Sequence, residues 1–290
     1  MKRGHPCATA ILLLCIAAPS FAVNLAPNPS FETITSCPTG FGQISVATPW
    51  DSPNTGSTDA HNVCVTGWPP FPTPGVPSGP LGFQNSRTGS GHAGIVTLNT
   101  GGTSYREYLE VPLTSPLVPG TTYTVSFYVN LSDSSFLSID RIGAYLSVGP
   151  VGPVGNDFPL PFTPQVESPA GTFLTDTVNW TLISGLFVAA GGEDHLVIGN
   201  YHNDANTATQ PTGFVWPVSY YFVDDVSVEA KEVELVACCT TDSFCQMMTE
   251  AECLENNWFP LPPGSNCSVE PCGETGAKHT TWGRLKTTYR

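Results

Sequence analysis

Between residues 106 and 230 apolar and polar side chains alternate at period two, the mark of strands with one buried face. In 121–131, Tyr123, Val125, Phe127, Val129 and Leu131 alternate with Thr122, Thr124, Ser126, Tyr128 and Asn130, after a Pro119-Gly120 turn. The same rule turns Ile142, Ala144, Leu146 and Val148 inward in 140–148, and Leu109 and Val111 inward in 106–113. Shorter apolar runs follow in WTLISGLFVA, HLVIGNY and YYFVDDVSVE. Seven or more short strands, Gly and Pro turns and no interleaved helices predict an all-β fold, a two-sheet β-sandwich over residues 23–231.

The two ends of the chain follow other patterns. MKRGHPCATAILLLCIAAPSFA has Lys2 and Arg3, an apolar run near Ile11–Ala18 and the small-x-small site Ser20-Phe21-Ala22. It reads as a secretory signal peptide, residues 1–22, cleaved after Ala22. Its apolar run is too short to span a bilayer, and no later segment is long enough, so the expectation is a secreted or cell-surface protein with no transmembrane segment once the signal is removed. Cys7 and Cys15 leave with the signal. Eight cysteines remain: Cys37 and Cys64, then Cys238, Cys239, Cys245, Cys253, Cys267 and Cys272 within 35 residues. An even count in an exported chain reads as disulfides, and the cluster has no CxxC pair of the kind zinc sites use. A segment that short has too little apolar surface for a core, so crosslinks would be its main source of stability. Residues 232–274 are therefore expected to form a small disulfide-rich module, with a basic tail over 275–290.

Composition adds 28 Gly, 28 Pro and only 12% charged residues, as a loop-rich exported β protein requires. The formal charge of -14 understates the acidity, because residues 23–277 hold 4 basic residues against 24 acids, a net -20. Such a surface repels phosphate backbones and argues against nucleic acid as a partner. It is compatible with neutral glycans or with cations.

One candidate site joins the two ends of the sandwich. If Val226 and Val228 in DDVSVE face the core, period two puts Asp224 on the same inward parity, where an unpaired carboxylate is costly. Glu32 follows Phe31 in the opening motif NLAPNPSFE, and first and last strands of a jelly roll commonly lie side by side. Two carboxylates plus backbone carbonyls make a hard oxygen site that suits Ca²⁺. The residues leave open the alternative that Asp224 and Asp225 simply accept hydrogen bonds from turn amides.

NLAPNPSFE, Trp50, GFQNSRTGSGHAGI, YREYLEVPLTSPLVPGTTYTVSFYVNLSD, IDRIGAYLS, WTLISGLFVA and the closing YYFVDDVSVE together resemble the galactose-binding-like jelly rolls of carbohydrate-binding modules, including a subgroup in exported bacterial surface proteins. The resemblance spans about Asn24 to Glu229. It implies a structural calcium between first and last strands, carried over onto Glu32, the Ser30 carbonyl and Asp224, with Asp225 as the neighbouring candidate. It also implies the pair Cys37 with Cys64. The six later cysteines resemble a small cysteine-rich repeat appended to exported bacterial proteins, and are expected to pair among themselves.

The function expected is a non-catalytic carbohydrate-binding or adhesion module, with a structural surface protein as the alternative. A sugar site needs exposed aromatic surface beside planar hydrogen-bonding groups. Strand parity offers Arg106 and Tyr108, Tyr128 and Asn130, and Arg141 and Tyr145 on solvent-facing sides, one surface if their strands share a sheet and a scattered set if they do not. The competing location is the Pro-rich loop GWPPFPTPGVP with Trp68 and Phe71. Catalytic signals are absent: there is no HExxH, no G-x-S-x-G elbow and no Walker loop. His195 and His202, near Glu193, Asp194 and Asp204, read as solvated strand-end residues, and VGPVGPVGN as a turn-rich loop.

Overall fold

The computed structural model describes residues 23–65, 73–213, 217–267 and 272. The signal segment 1–22, Trp68 and Phe71, and the tail 275–290 lie outside the described residues. The chain divides into two compact units between Lys231 and Glu232. No helix among the described residues is long and apolar enough to cross a membrane.

The first unit contains β1 (Asp59–Asn62), β2 (Ser78–Gly79), β3 (Gly82–Phe83), β4 (Gly91–Asn99), β5 (Tyr108–Pro112), β6 (Thr122–Leu131) and β7 (Leu137–Ile139). It continues with β8 (Gly143–Ser147), β9 (Val166–Glu167), β10 (Thr181–Val188), β11 (His195–Gly199), β12 (Thr209–Pro211) and β13 (Val218–Ala230). These strands form a jelly-roll β-sandwich. One sheet has the order β1-β4-β13-β6-β10 and the other β5-β11-β8-β9, with the pairs β12-β7 and β2-β3 outside them. All named strand pairs are antiparallel.

The inward sets read from the sequence meet between the sheets. Tyr123, Val125, Phe127, Val129 and Leu131 of β6 share one core with Leu109 and Val111 of β5, Ala144 and Leu146 of β8, and Leu196 and Ile198 of β11. Val148 departs from its expected position: β8 ends at Ser147, and Val148 is 74% exposed in the following turn. The opening motif closes one edge of this core. Phe31 packs on Trp50 at 4.8 Å between ring centroids, and the Trp50 indole N–H donates to the Asn28 carbonyl at 2.9 Å.

The second unit contains β14 (Val236–Cys239), β15 (Cys245–Met248), α1 (Glu250–Glu255) and β16 (Phe259–Pro260), with sheet order β15-β14-β16. Thr249 caps α1 through a capping box with Glu252. Cys238 pairs with Cys253, Cys239 with Cys272 and Cys245 with Cys267, while Cys37 pairs with Cys64 in the sandwich. The cysteine pairing thus stays within each unit.

Candidate functional site

The seam between the chain's opening motif and β13 is built by backbone and Asn24. Leu25 N–H donates to the Val228 carbonyl at 2.8 Å, Val226 N–H to the Pro29 carbonyl at 2.9 Å, and Val228 N–H to Asn24 Oδ1 at 2.9 Å. The opening segment therefore lies along the last strand. The parity assigned to Asp224 does not hold. A bulge interrupts β13 between Asp224 and Ser227, with Asp225 at φ 47°, so Val223 and Val226 face the core while Asp224 falls on the outer side with Phe222. Asp224 is nonetheless fully buried, because residues 84–90 cross over it.

Each carboxylate at the seam is held by that crossing loop. Asp224 Oδ2 accepts from the amides of Arg87 at 2.7 Å and Thr88 at 3.3 Å, and its Oδ1 accepts from Asp225 N–H at 2.7 Å. Ser30 Oγ and Thr88 Oγ1 each donate to Asp225 Oδ1 at 2.6 Å, and the Arg87 guanidinium pairs with Asp225 Oδ2. Glu32 Oε1 accepts from the amides of Ser90 at 2.7 Å and Gly91 at 2.8 Å. Gly89, at φ +63°, lets the loop wrap this carboxylate, since a Cβ there would stand 2.3 Å from Glu32. Burial, and then the charge of Asp225, push the Asp224 carboxyl up to about 8. Partial burial alone would raise Asp225, but the Ser30 and Thr88 hydroxyls and Arg87 hold it below the usual carboxylate range.

The donors fit Ca²⁺ in kind, being hard oxygens on one loop and two chain ends. Among the described residues no three of these carboxylates share one ion's reach, so backbone carbonyls would have to complete a coordination shell. The group of potential ligands that does converge among the described residues, Cys239, Cys245 and Cys272, is taken up in disulfides.

The six sugar-site candidates within the described residues do not form one surface. Tyr108 and Tyr145 lie on the outer face of the β5-β11-β8-β9 sheet, as parity requires, but residues 148–165 close that face. Tyr145 stacks on Phe162 at 4.6 Å, and Tyr108 accepts from Leu160 N–H at 2.9 Å while donating to the Asn200 carbonyl at 2.6 Å. The solvent-facing expectation is thus corrected for Tyr108, which is fully buried, and Tyr145 is half-buried. Arg106 is also corrected: it is fully buried, donating to the carbonyls of His202 and Tyr105 and pairing with Asp204 at 2.9 Å. Asn130 is buried too, with its amide donating to the carbonyls of Asp176 and Asn179. Arg141 stays half-exposed, tied to Glu167 at 2.7 Å, which also meets His202 at 2.8 Å.

Tyr128 alone of the set lies on the outer face of the β1-β4-β13-β6-β10 sheet with its ring half-exposed. It pairs across β10 with Leu182, and the Arg87 guanidinium sits 3.5 Å above its ring centroid. Trp180 stands half-exposed at the start of β10, its indole N–H reaching the Asn85 carbonyl at 3.3 Å. Thr124, Ser126 and Ser184 add hydroxyls along the same face. Neither Arg87 nor Trp180 follows from strand parity. A usable signal was scarcity: Arg87 is one of only 4 basic residues in 23–277, and the three arginines among them all form ion pairs.

The rest of that face is buried under residues 76–90. His61 and His92 stack at 5.0 Å, flanked edge-on by Phe222, with Tyr220 bridging His61 Nε2 at 2.9 Å and Asp59 Oδ2 at 2.8 Å. Gly94 is required beneath them, because a Cβ would meet the Tyr220 hydroxyl at 1.8 Å. Glu107 lies nearby, accepting from Tyr105, Ser57 and the Val96 amide. Burial pushes the Asp59 and Glu107 carboxyls up and both imidazoles down, His61 to about 3. His195 pairs with its neighbour Asp194 and His202 with Glu167 of β9, at 2.8 Å each.

No family model matches the chain, and no curated protein matches it. Solved structures do match. The CBM22-1 xylan-binding domain of Paenibacillus barcinonensis Xyn10C is 12% identical, covering 69% of this chain and 90% of its own, with a TM-score of 0.35. The K1 cleaved adhesin domain of Lys-gingipain from Porphyromonas gingivalis W83 is 13% identical over 73% of this chain and 100% of its own, with a TM-score of 0.38. The Stig cyclase Fisc from Fischerella sp. TAU is 15% identical over 73% of this chain and 98% of its own, with a TM-score of 0.42. At such scores these matches decide nothing about ligand or catalysis.

Proposed function

We propose that the protein is an exported, non-catalytic carbohydrate-binding or adhesion module, with calcium reinforcing the seam between its ends. The observation that carries the sugar reading is the outer face of the five-stranded sheet, where Tyr128 and Trp180 are half-exposed beside the Arg87 guanidinium and a row of hydroxyls. Sugars present apolar C–H faces ringed by hydroxyls, and this combination of rings, a planar donor fork and Ser and Thr matches both parts. Export is supported by four disulfides, which persist in oxidising compartments.

A glycan array probed with the chain from Val23 tests the reading. Tyr128→Ala and Trp180→Ala are each expected to weaken binding to the retained glycan by about three- to tenfold, given about 0.5–1.5 kcal/mol for an aromatic contact. An array without hits, or affinity unchanged in both folded variants, overturns it and favours a structural surface role.

Calcium is supported by the gathering of Glu32, Asp224 and Asp225 at the seam, where the Arg87 guanidinium pairs with Asp225 alone and the other two carboxyls meet only backbone amides. At 100 times its dissociation constant calcium would stabilise the sandwich by about 2.7 kcal/mol. That corresponds to a rise of roughly 5–10 °C in Tm over protein in excess chelator. Glu32→Ala and Asp224→Asn are each expected to remove the calcium response. Superposed melting curves with no metal by elemental analysis would discard the ion and leave the loop amides, the Ser30 and Thr88 hydroxyls and Arg87 to hold the seam's carboxyls.

A further inference from the structure

The unit 232–272 carries a groove that its own chemistry leaves unexplained. Leu235, Gln246, Met247, Met248, Glu252 and Asn256 line about 330 Å³ between β15 and α1. β15 is an edge strand among the described residues, so one side of its backbone is open to a further strand. Leu235 is 46% exposed and Met247 36%, so the groove presents uncovered apolar side chains, with the more buried Met248 beneath and Gln246, Glu252 and Asn256 supplying polar atoms beside them.

We propose that this groove is the docking site of the chain's own basic segment 278–290, KHTTWGRLKTTYR, with Trp282 against the two methionines and the Arg284 or Lys286 cation at Glu252. Three observations select this occupant. The first is charge. Residues 232–272 contain 7 acidic residues and no Lys, Arg or His, whereas 278–290 contain 4 Lys and Arg and no acid. Glu252 is ionised at neutral pH, because the Thr249 amide and hydroxyl hold its carboxyl below the usual range.

The second is reach. The described chain leaves at Cys272, which is crosslinked to Cys239 and stands with its Sγ 3.5 Å from the Phe244 carbonyl, beside the first residue of β15. The groove residues Met247 and Met248 lie at the other end of this four-residue strand, about 13 Å away at ~3.3 Å per residue. Ten residues separate Cys272 from Trp282, which extended would cover about 33 Å. A tether that short gives an effective concentration in the millimolar range, so an intrinsic affinity near 100 μM would keep the groove about nine-tenths filled.

The third is shape and chemistry of the walls. Methionine is flexible and makes favourable contacts at aromatic ring edges, so a pair of them accepts an indole without a preformed slot. A cation beside that indole meets a carboxylate at the groove's rim, as in the combination of aromatic anchor and flanking charge typical of peptide grooves.

The test compares the full chain, Trp282→Ala and a variant ending at Gly273 by hydrogen exchange and methionine methyl NMR. Trp282→Ala alters no residue of the described unit, so it cannot unfold the groove directly. In the full chain, slowed exchange at Gln246–Met248 and shifted Met247 and Met248 methyls are expected, lost in both variants. A synthetic peptide of residues 278–290 added to the shortened chain should restore the shifts, and a scrambled peptide of the same charge should not. Identical spectra and exchange in all three proteins overturn the proposal. So does a concentration-dependent dimer that the truncation abolishes, which would seat the segment on a second copy.

Discussion

Reducing the three disulfides of residues 232–272 is expected to unfold that unit completely while the sandwich stays folded. The unit's buried apolar cluster consists of Val236, Cys238, Met248 and Cys253, with Trp258 packed on it, so two of its four buried members are half-cystines. Its strands are 4, 4 and 2 residues long and its helix has 6. A core of that size does not offset the chain entropy of ordering about 40 residues. The crosslinks close loops with sequence separations of 15, 33 and 22 residues, each worth about 3–4 kcal/mol in the chain-entropy model. Even with interlinked loops that fall short of additivity, losing them exceeds any stability the cluster supplies. The sandwich loses only Cys37–Cys64, against a core that runs through both its sheets. Hydrogen exchange read by mass spectrometry after reduction and alkylation separates the two units. Amide protection persisting over Val236–Met248 in the alkylated protein would show that packing, not crosslinking, holds the unit.

The sequence made the sandwich legible because period two reports which side of a strand a residue occupies. All five inward residues assigned in β6 are in the core, and so are Leu109, Val111, Ile142, Ala144 and Leu146. Parity says nothing about what lies over the outward side. Tyr108 and Tyr145 point outward as assigned, yet Leu160 and Phe162, just beyond the stretch VGPVGPVGN that reads as a turn-rich loop, lie on them. Asn130 also lies outward on its strand but meets the carbonyls of residues 176 and 179. Asp224 failed for a different reason. One extra residue in the left-handed region at Asp225 shifts the register, and a run of two aspartates gives no notice of it. Arg106 lies just before β5, where no alternation applies, and its burial follows from backbone carbonyls that assemble only in the fold. The cysteines were easier, because covalent partners in two distant groups leave little freedom about which group closes on itself.

The stacked pair His61 and His92 sets the last expectation: lowering the pH from 7.5 to 5 destabilises the sandwich through these two rings by about 4 kcal/mol. Both are buried in a layer with Phe222 and Tyr220, and desolvation holds both imidazoles neutral, His61 down to about 3 and His92 well below its ordinary value. His92 is lowered further by His61 itself, since two stacked rings cannot both be charged. In the unfolded chain each titrates near 6.5, so below that pH the unfolded state binds protons that the folded state refuses. The contribution is fully present above about 6.5 and is lost as pH falls toward 3. At pH 5 each ring costs about 2 kcal/mol, from about 1.4 kcal/mol per pH unit. Asp59, Glu107 and Asp224 act with the opposite sign: their carboxyls are raised, so they lose stability as pH rises above about 4, and between pH 7.5 and 5 Asp224 alone, raised to about 8, opposes the histidine slope by about 3 kcal/mol. A variant isolates the imidazole contribution. His92→Phe keeps an aromatic ring against Phe222 and Trp180 and removes one titrating group, while the three carboxyls remain in both proteins. Relative to the unsubstituted protein it should gain about 2 kcal/mol between pH 7.5 and pH 5, measured by denaturant unfolding at each pH. An equal difference between the two proteins at both pH values would mean that His92 takes up its proton as readily in the folded state as in the unfolded chain, and that the buried layer carries its charge at pH 5.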